Sequence, residues 1–245
     1  MALYLIQKMR SLYIKRSNLQ YLRQLCNHCN HNHPAFSLLI FLTEGNRKWT
    51  DEEKEVLSAG AFDVASAIAR DINQDNYLLW KSGDIDNYDS LSPTEVFHKV
   101  YGGSVRVIRK AGTCAEVIGS TFPGCGGWGF TNTKNEIWIF DNATPSIIKA
   151  YPRLIVHELG HAFDKITGMS LDMPGDMKNR NGFFGPVSSW QLSSETKYTE
   201  IYADMFVGWV YGKWETYQGR LTDDARAKAD FMALTVSYIE YAIGK

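Results

Sequence analysis

The sequence predicts an α+β fold with a small mixed or antiparallel sheet and a helical C-terminal part. Three observations carry this expectation. Three strand-like runs lie close together between residues 104 and 140. Capped helical patterns precede them, and longer helical patterns follow with no further strand signal. At 245 residues, 44% hydrophobic and 22% charged, the chain can bury one sizeable core. The expected organisation is an appendage over residues 1–45 and a single domain over 46–245.

The first 25 residues carry apolar side chains at loosely helical spacing (Leu3, Ile6, Leu12, Tyr13, Leu19, Leu22, Leu25). Their charges are all basic: Lys8, Arg10, Lys15, Arg16 and Arg23. This part is expected to be poorly packed helix. Residues 26–33 follow, where Cys26, His28, Cys29, His31 and His33 are either ligands for a structural metal or part of an exposed connector. Thr50 and Glu53 form a capping box ahead of an apolar stripe at Val56, Leu57, Ala61, Val64, Ala65 and Ile68, which predicts a helix over 51–72. Residues 73–91, rich in Asp, Asn, Ser and Gly, read as a loop with a short ordered piece at 77–80.

Ser92 as N-cap, Pro93 at the first helical position, Glu95, and the pair Gly102 and Gly103 bound a helix over 93–101. The strands are expected at 104–109, 126–131 and 136–140, the last two joined by a turn at 132–135. After Pro145 a helix runs to Gly168. A polar loop occupies 169–194, and helices over 196–216 and 223–243 close the chain.

The formal net charge of −1, from 26 basic and 27 acidic residues, gives no sign of a nucleic-acid partner. The apolar run 38–42 is too short to cross a bilayer and no long apolar segment follows Met1. The expectation is therefore no signal peptide and no membrane span, with the cytoplasm as the default location. Cys114 and Cys125 would form a disulfide in a secreted protein and would be two thiols otherwise; the sequence leaves both open.

The chemistry centres on His157, Glu158, Leu159, Gly160 and His161. On a helix His157 and His161 lie one turn apart on one face, so two imidazoles can hold one zinc ion while Glu158 reaches a water beside it. A catalytic zinc takes three protein ligands, so a third is needed. Glu200 and Asp204, again one turn apart, supply a carboxylate for the metal and a second carboxylate to accept the free N–H of His157. Asp164, one turn beyond His161 on the same helix, and Glu195 are rival ligands.

This pattern, HExxH with a downstream helical E-x-x-x-D, resembles the gluzincin branch of the zinc metallopeptidases, the thermolysin-like clan. The resemblance covers roughly residues 104–216 and implies a zincin-like fold with an edge strand beside the HExxH helix. By that resemblance His157, His161 and Glu200 are the metal ligands, Glu158 is the general base and Asp204 supports His157. The strand carrying Gly127, Trp128, Gly129 and Phe130 would bind an extended peptide.

The implied activity is zinc-dependent endopeptidase cleavage of a peptide or protein. Two other functions fit the same motifs: a regulatory protease for one protein partner, and a peptide-binding module without turnover. The sequence departs from the clan in the long interval between His161 and Glu200. It also lacks a match for the oxyanion-stabilising histidine, for which Tyr198, Tyr202 and Tyr211 are the substitutes on offer.

Overall fold

The computed structural model describes residues 38–88, 90–119, 127–133, 135–150, 153–172, 197–212 and 234–243. The chain is α+β: helices flank a four-stranded mixed sheet of order β1-β2-β4-β3, from β1 (Leu39–Thr43), β2 (Val105–Lys110), β3 (Gly129–Thr133) and β4 (Glu136–Phe140). β1 and β4 both run parallel to β2, and β3 is antiparallel to β4, so β3 forms one edge.

β1 was not expected from the sequence, which assigned residues 38–42 no secondary structure. It pairs with β2 across more than 60 residues of chain, with Leu39 opposite Val105 and Thr43 opposite Arg109. Nothing local announces such a pairing. Residues 1–37 of the expected appendage, including the Cys/His tract, lie outside the described residues, while its last part, 38–45, contains β1 and joins the sheet.

Helix α1 (Asp51–Ser82) begins with the expected capping box but runs ten residues past its expected end at 72. The stripe of buried positions Leu57, Ala61, Val64, Ala65 and Ile68 continues through Ile72 to Asn76, so tertiary burial carries the helix through a polar stretch that reads as loop. Asn73 contributes by gripping the main chain of Leu91 from both sides, its amide donating to the carbonyl and its oxygen accepting the N–H, each at 2.8 Å. Gly83, at φ 84°, ends the helix in the left-handed conformation that favours glycine.

Helix α2 (Pro93–Tyr101) has the expected bounds and both partners of its capping box. A short helix α3 (Cys114–Val117) follows β2, and its Cys114 is disulfide-bonded. β3 starts at Gly129, after the expected residue 126, and runs to Thr133 with an irregularity between Thr131 and Thr133, so the turn into β4 is tighter than 132–135.

The expected helix after Pro145 is two helices, α4 (Pro145–Ala150) and α5 (Leu154–Thr167), with Pro152 between them. Gly168 ends α5 as expected, at φ 70°. A single-turn helix α6 (Met169–Asp172) occupies the start of the expected loop. Helix α7 (Lys197–Tyr211) and a helical stretch over 234–242 represent the two closing helices.

One buried cluster ties the sheet to the start of α1 and to the connection leading toward α5. Arg109, fully buried on β2, donates to Glu53 Oε1 at 2.7 Å and to the carbonyls of Phe140 and Ala143. Arg47 lies 3.1 Å from the same Glu53 oxygen, and the Arg109 guanidinium stacks 3.8 Å from the centre of the Trp49 ring. Glu53 is itself buried and also closes the α1 capping box. Removing one member strands the others in a low dielectric, so Arg109→Ala is expected to lower the unfolding free energy by about 3–5 kcal/mol, read by denaturant titration. No helix among the described residues is long and apolar enough to cross a membrane.

Candidate metal centre

Two helices build the site. α5 presents His157 and His161 one turn apart, and their Nε2 atoms stand 3.1 Å from each other. α7 crosses α5 at Gly160: a Cβ there would come within 3.1 Å of Phe206 Cβ and 3.2 Å of Ala203 Cα, so the absent side chain is what lets the helices approach this closely. Trp209 on α7 donates to Asp71 on α1 at 2.9 Å, and the Tyr101 hydroxyl on α2 donates to the Leu159 carbonyl at 3.1 Å, holding both helices against their neighbours.

This packing brings Glu200 Oε2 to 3.3 Å from His157 Nε2 and 3.5 Å from His161 Nε2. These three are the only His, Cys, Asp and Glu side chains among the described residues grouped closely enough to hold a metal. Their fit to zinc can be tested by distance. A tetrahedral zinc with bonds of about 2.0–2.1 Å sets its ligand atoms roughly 3.3–3.4 Å apart, and the observed edges of 3.1, 3.3 and 3.5 Å match one face of that tetrahedron. Two imidazoles and one carboxylate also form a donor set that zinc accepts readily.

The electrostatics suit a cation. Burial works against charge on His157, but its contact with Glu200 and the charges of Glu200, Glu158 and Asp204 outweigh it and raise the imidazole to about 9. Burial likewise favours a neutral Glu200, yet the two histidines hold it well below the usual carboxylate range. Asp204 is buried one turn along α7 from Glu200 and its charge helps to raise His157, but the expected hydrogen bond is not formed, since His157 Nδ1 makes none.

Glu158 is buried between α5 and the edge strand. Burial pushes its carboxyl above the usual range, against the pull of His161, His157 and a hydrogen bond with Thr131. The Thr131 hydroxyl stands 2.8 Å from both Glu158 Oε2 and the Glu158 main-chain carbonyl, so β3 is pinned to α5 at this residue. Gly129 has no room for a side chain, because a Cβ would lie 2.6 Å from Glu158 Oε1 and 2.9 Å from Cδ. Thr131 was not singled out from the sequence, since only the packing of β3 on α5 brings it to Glu158.

Among the described residues, β3 is paired on one side only. The Phe140 N–H donates to the Trp128 carbonyl at 3.0 Å, so Trp128 and Phe140, and two residues on Phe130 and Trp138, are the hydrogen-bonded pairs. Gly129 and Thr131 therefore turn their main-chain groups outward, on the side away from β4. Of the four residues expected on this strand, Gly129 and Phe130 belong to it, while Gly127 and Trp128 precede it. Phe130 rests on Trp138, ring centres 5.7 Å apart, and Trp128 packs partly against the core.

The rival ligand Asp164 is engaged elsewhere, accepting the Ser170 N–H at 2.7 Å at the start of α6. Glu195 falls outside the described residues, as does the side chain of Tyr198. The other two tyrosines offered as oxyanion donors are not brought to the metal group. Tyr202 is fully buried, where the charges acting on it are those of Asp164, Tyr101 and Tyr238. Tyr211 hydrogen-bonds Asp63 on α1 and lies under Arg153 at 5.6 Å. It sits eleven residues beyond Glu200, about 16 Å along the helix.

No protein-family model, curated protein or solved structure matches the chain.

Proposed function

We propose that the chain is a zinc-dependent endopeptidase with a zincin-like fold, of the gluzincin type its motifs resemble. The observation that carries this reading is the convergence of His157, His161 and Glu200 at tetrahedral spacing, with Glu158 buried beside them under an open edge strand. When bound, zinc would polarise the scissile carbonyl and acidify the attacking water.

The chain's own residues supply the rest. An extended peptide pairs with the outward main-chain groups of Gly129 and Thr131, which hold it along β3 by strand addition. Glu158 takes a proton from water as the oxygen adds to the carbonyl carbon. It then passes that proton to the amine as the C–N bond breaks. Thr131 holds the Glu158 carboxylate in place through this transfer. The Asp204 charge raises the basicity of His157.

Incubating the purified chain with a mixed peptide library, with and without a chelator, tests the proposal. Cleavage that the chelator stops supports it; peptide binding without cleavage would instead indicate a recognition module. The Gly129 contact adds a sharper expectation. Gly129→Ala forces the Glu158 carboxylate aside, and a displacement near 1 Å is worth about 10²-fold in rate. Turnover should fall by that order while zinc content is unchanged.

A further inference from the structure

A basic side chain stands beside β3 and has no carboxylate within ion-pair distance among the described residues, although the charges of Glu158 and Asp164 act on it. Lys165 lies on α5 two turns beyond Glu158 and on the same helical face, in the helix's last turn. Its ammonium donates to the main-chain carbonyl of Asn132 at 3.2 Å, where β3 departs from regular pairing, and stands 5.8 Å from the centre of the Phe130 ring. Other cations on or beside the sheet have carboxylate partners: Arg106 has Glu136, Arg109 and Arg47 share Glu53, and Lys110 has Glu44. Lys165 makes no ion pair among the described residues. Among the described residues the ammonium thus donates only to a main-chain oxygen of the strand, with donor capacity left over.

The position has a consequence for what the strand can hold. Seven residues of helix place the Lys165 and Glu158 Cα atoms about 10 Å apart. An extended peptide advances about 3.3 Å per residue. On β3 the Glu158 carboxylate meets Gly129 and Thr131 while the ammonium meets Asn132, so a peptide lying along the strand passes the ammonium within three residues of the carbonyl that Glu158 serves. With its amine on Asn132, Lys165 also occupies the strand's far end, so pairing cannot continue past it without displacing that bond.

We infer that Lys165 selects peptides carrying a carboxylate within three residues of the bond that is cut, an inference that rests on the peptidase reading above. The carboxylate comes from an Asp or Glu side chain or from the peptide's C-terminus.

The test takes the full chain loaded with zinc and one cleavable peptide made in matched versions. Glu, Gln or Lys is placed at each position within three residues of the cut, each with a free or an amidated C-terminus. The wild type is expected to show kcat/KM about tenfold higher for Glu than for Gln at one position, or for the free over the amidated terminus, and the arm that responds identifies the source. Lys165→Glu should reverse the preference toward Lys, Lys165→Gln should remove it, and Lys165→Arg should keep it. A preference unaltered in Lys165→Glu and Lys165→Gln would overturn the inference.

Fluorescent forms of the same peptides, bound to the Glu158→Gln chain, read selectivity without turnover. If no peptide is cut but binding still favours the carboxylate and reverses in Lys165→Glu, the peptidase reading fails and the Lys165 inference stands. If peptides are cut with no dependence on Lys165, the converse holds. Absence of both cleavage and binding overturns both.

Discussion

Replacing Glu158 with Gln is expected to reduce peptide hydrolysis by about 10²–10⁴-fold, the span that general acid–base catalysis contributes. The substitution keeps the size of the side chain and the acceptor that Thr131 uses at 2.8 Å, so the packing between β3 and α5 should survive. It removes only the capacity to take a proton from water and return it to the leaving amine. Because Glu158 is outside the group formed by His157, His161 and Glu200, zinc should remain bound at the wild-type level. Steady-state kinetics with metal analysis of the same sample reads both effects. Wild-type turnover in this variant would remove Glu158 from the mechanism.

Glu200→Ala is expected to have the largest effect on metal binding, and comparison with two neighbours shows why. Glu200 Oε2 stands within 3.5 Å of both imidazole nitrogens, so its loss leaves two ligands and an incomplete face. Asp204 acts on His157 by charge without a hydrogen bond to Nδ1, so Asp204→Ala should weaken zinc by about tenfold or less, the low end of the effect of losing a carboxylate behind a ligating histidine. Glu200→Ala should weaken it more than that. Asp164→Ala should leave zinc affinity unchanged, because that carboxylate binds the Ser170 N–H. Its cost should appear instead as about 1–3 kcal/mol of lost stability from the unmet main-chain donor. Calorimetric zinc titration of the three variants gives the order, and equal affinity in Glu200→Ala and the wild type would exclude Glu200 as a ligand.

The parts of this site that could be read from sequence are those set by helical spacing. His157 with His161, and Glu200 with Asp204, are each four residues apart, and a helix turns that spacing into a shared face whatever surrounds it. The capped helix starts at Thr50 and Ser92 were legible for the same local reason, since a cap and its partner lie three residues apart.

What could not be read depends on distant segments meeting. β1 is a strand because Leu39 finds Val105, α1 continues through Asn73 because that side chain finds Leu91, and Thr131 matters because β3 lies across Glu158. Tyr202 and Tyr211 failed as oxyanion candidates for a related reason. Both share α7 with Glu200, but one turns into the core and the other lies too far along the helix to reach it. Gly160 is the residue whose role the motif conceals: inside His157–His161 it looks like a spacer, yet its bare Cα is where α7 comes close enough to bring Glu200 to the histidines.

Zinc stoichiometry reads the proposed site of His157, His161 and Glu200 without reference to any substrate. Elemental analysis of the purified full chain, equilibrated with zinc and freed of excess, should show a bound ion that a chelator removes and added zinc restores. The count should fall by one per chain in a His157→Ala, His161→Ala double variant that remains folded. An unchanged count in that variant, or no bound zinc in the wild type, would contradict the account.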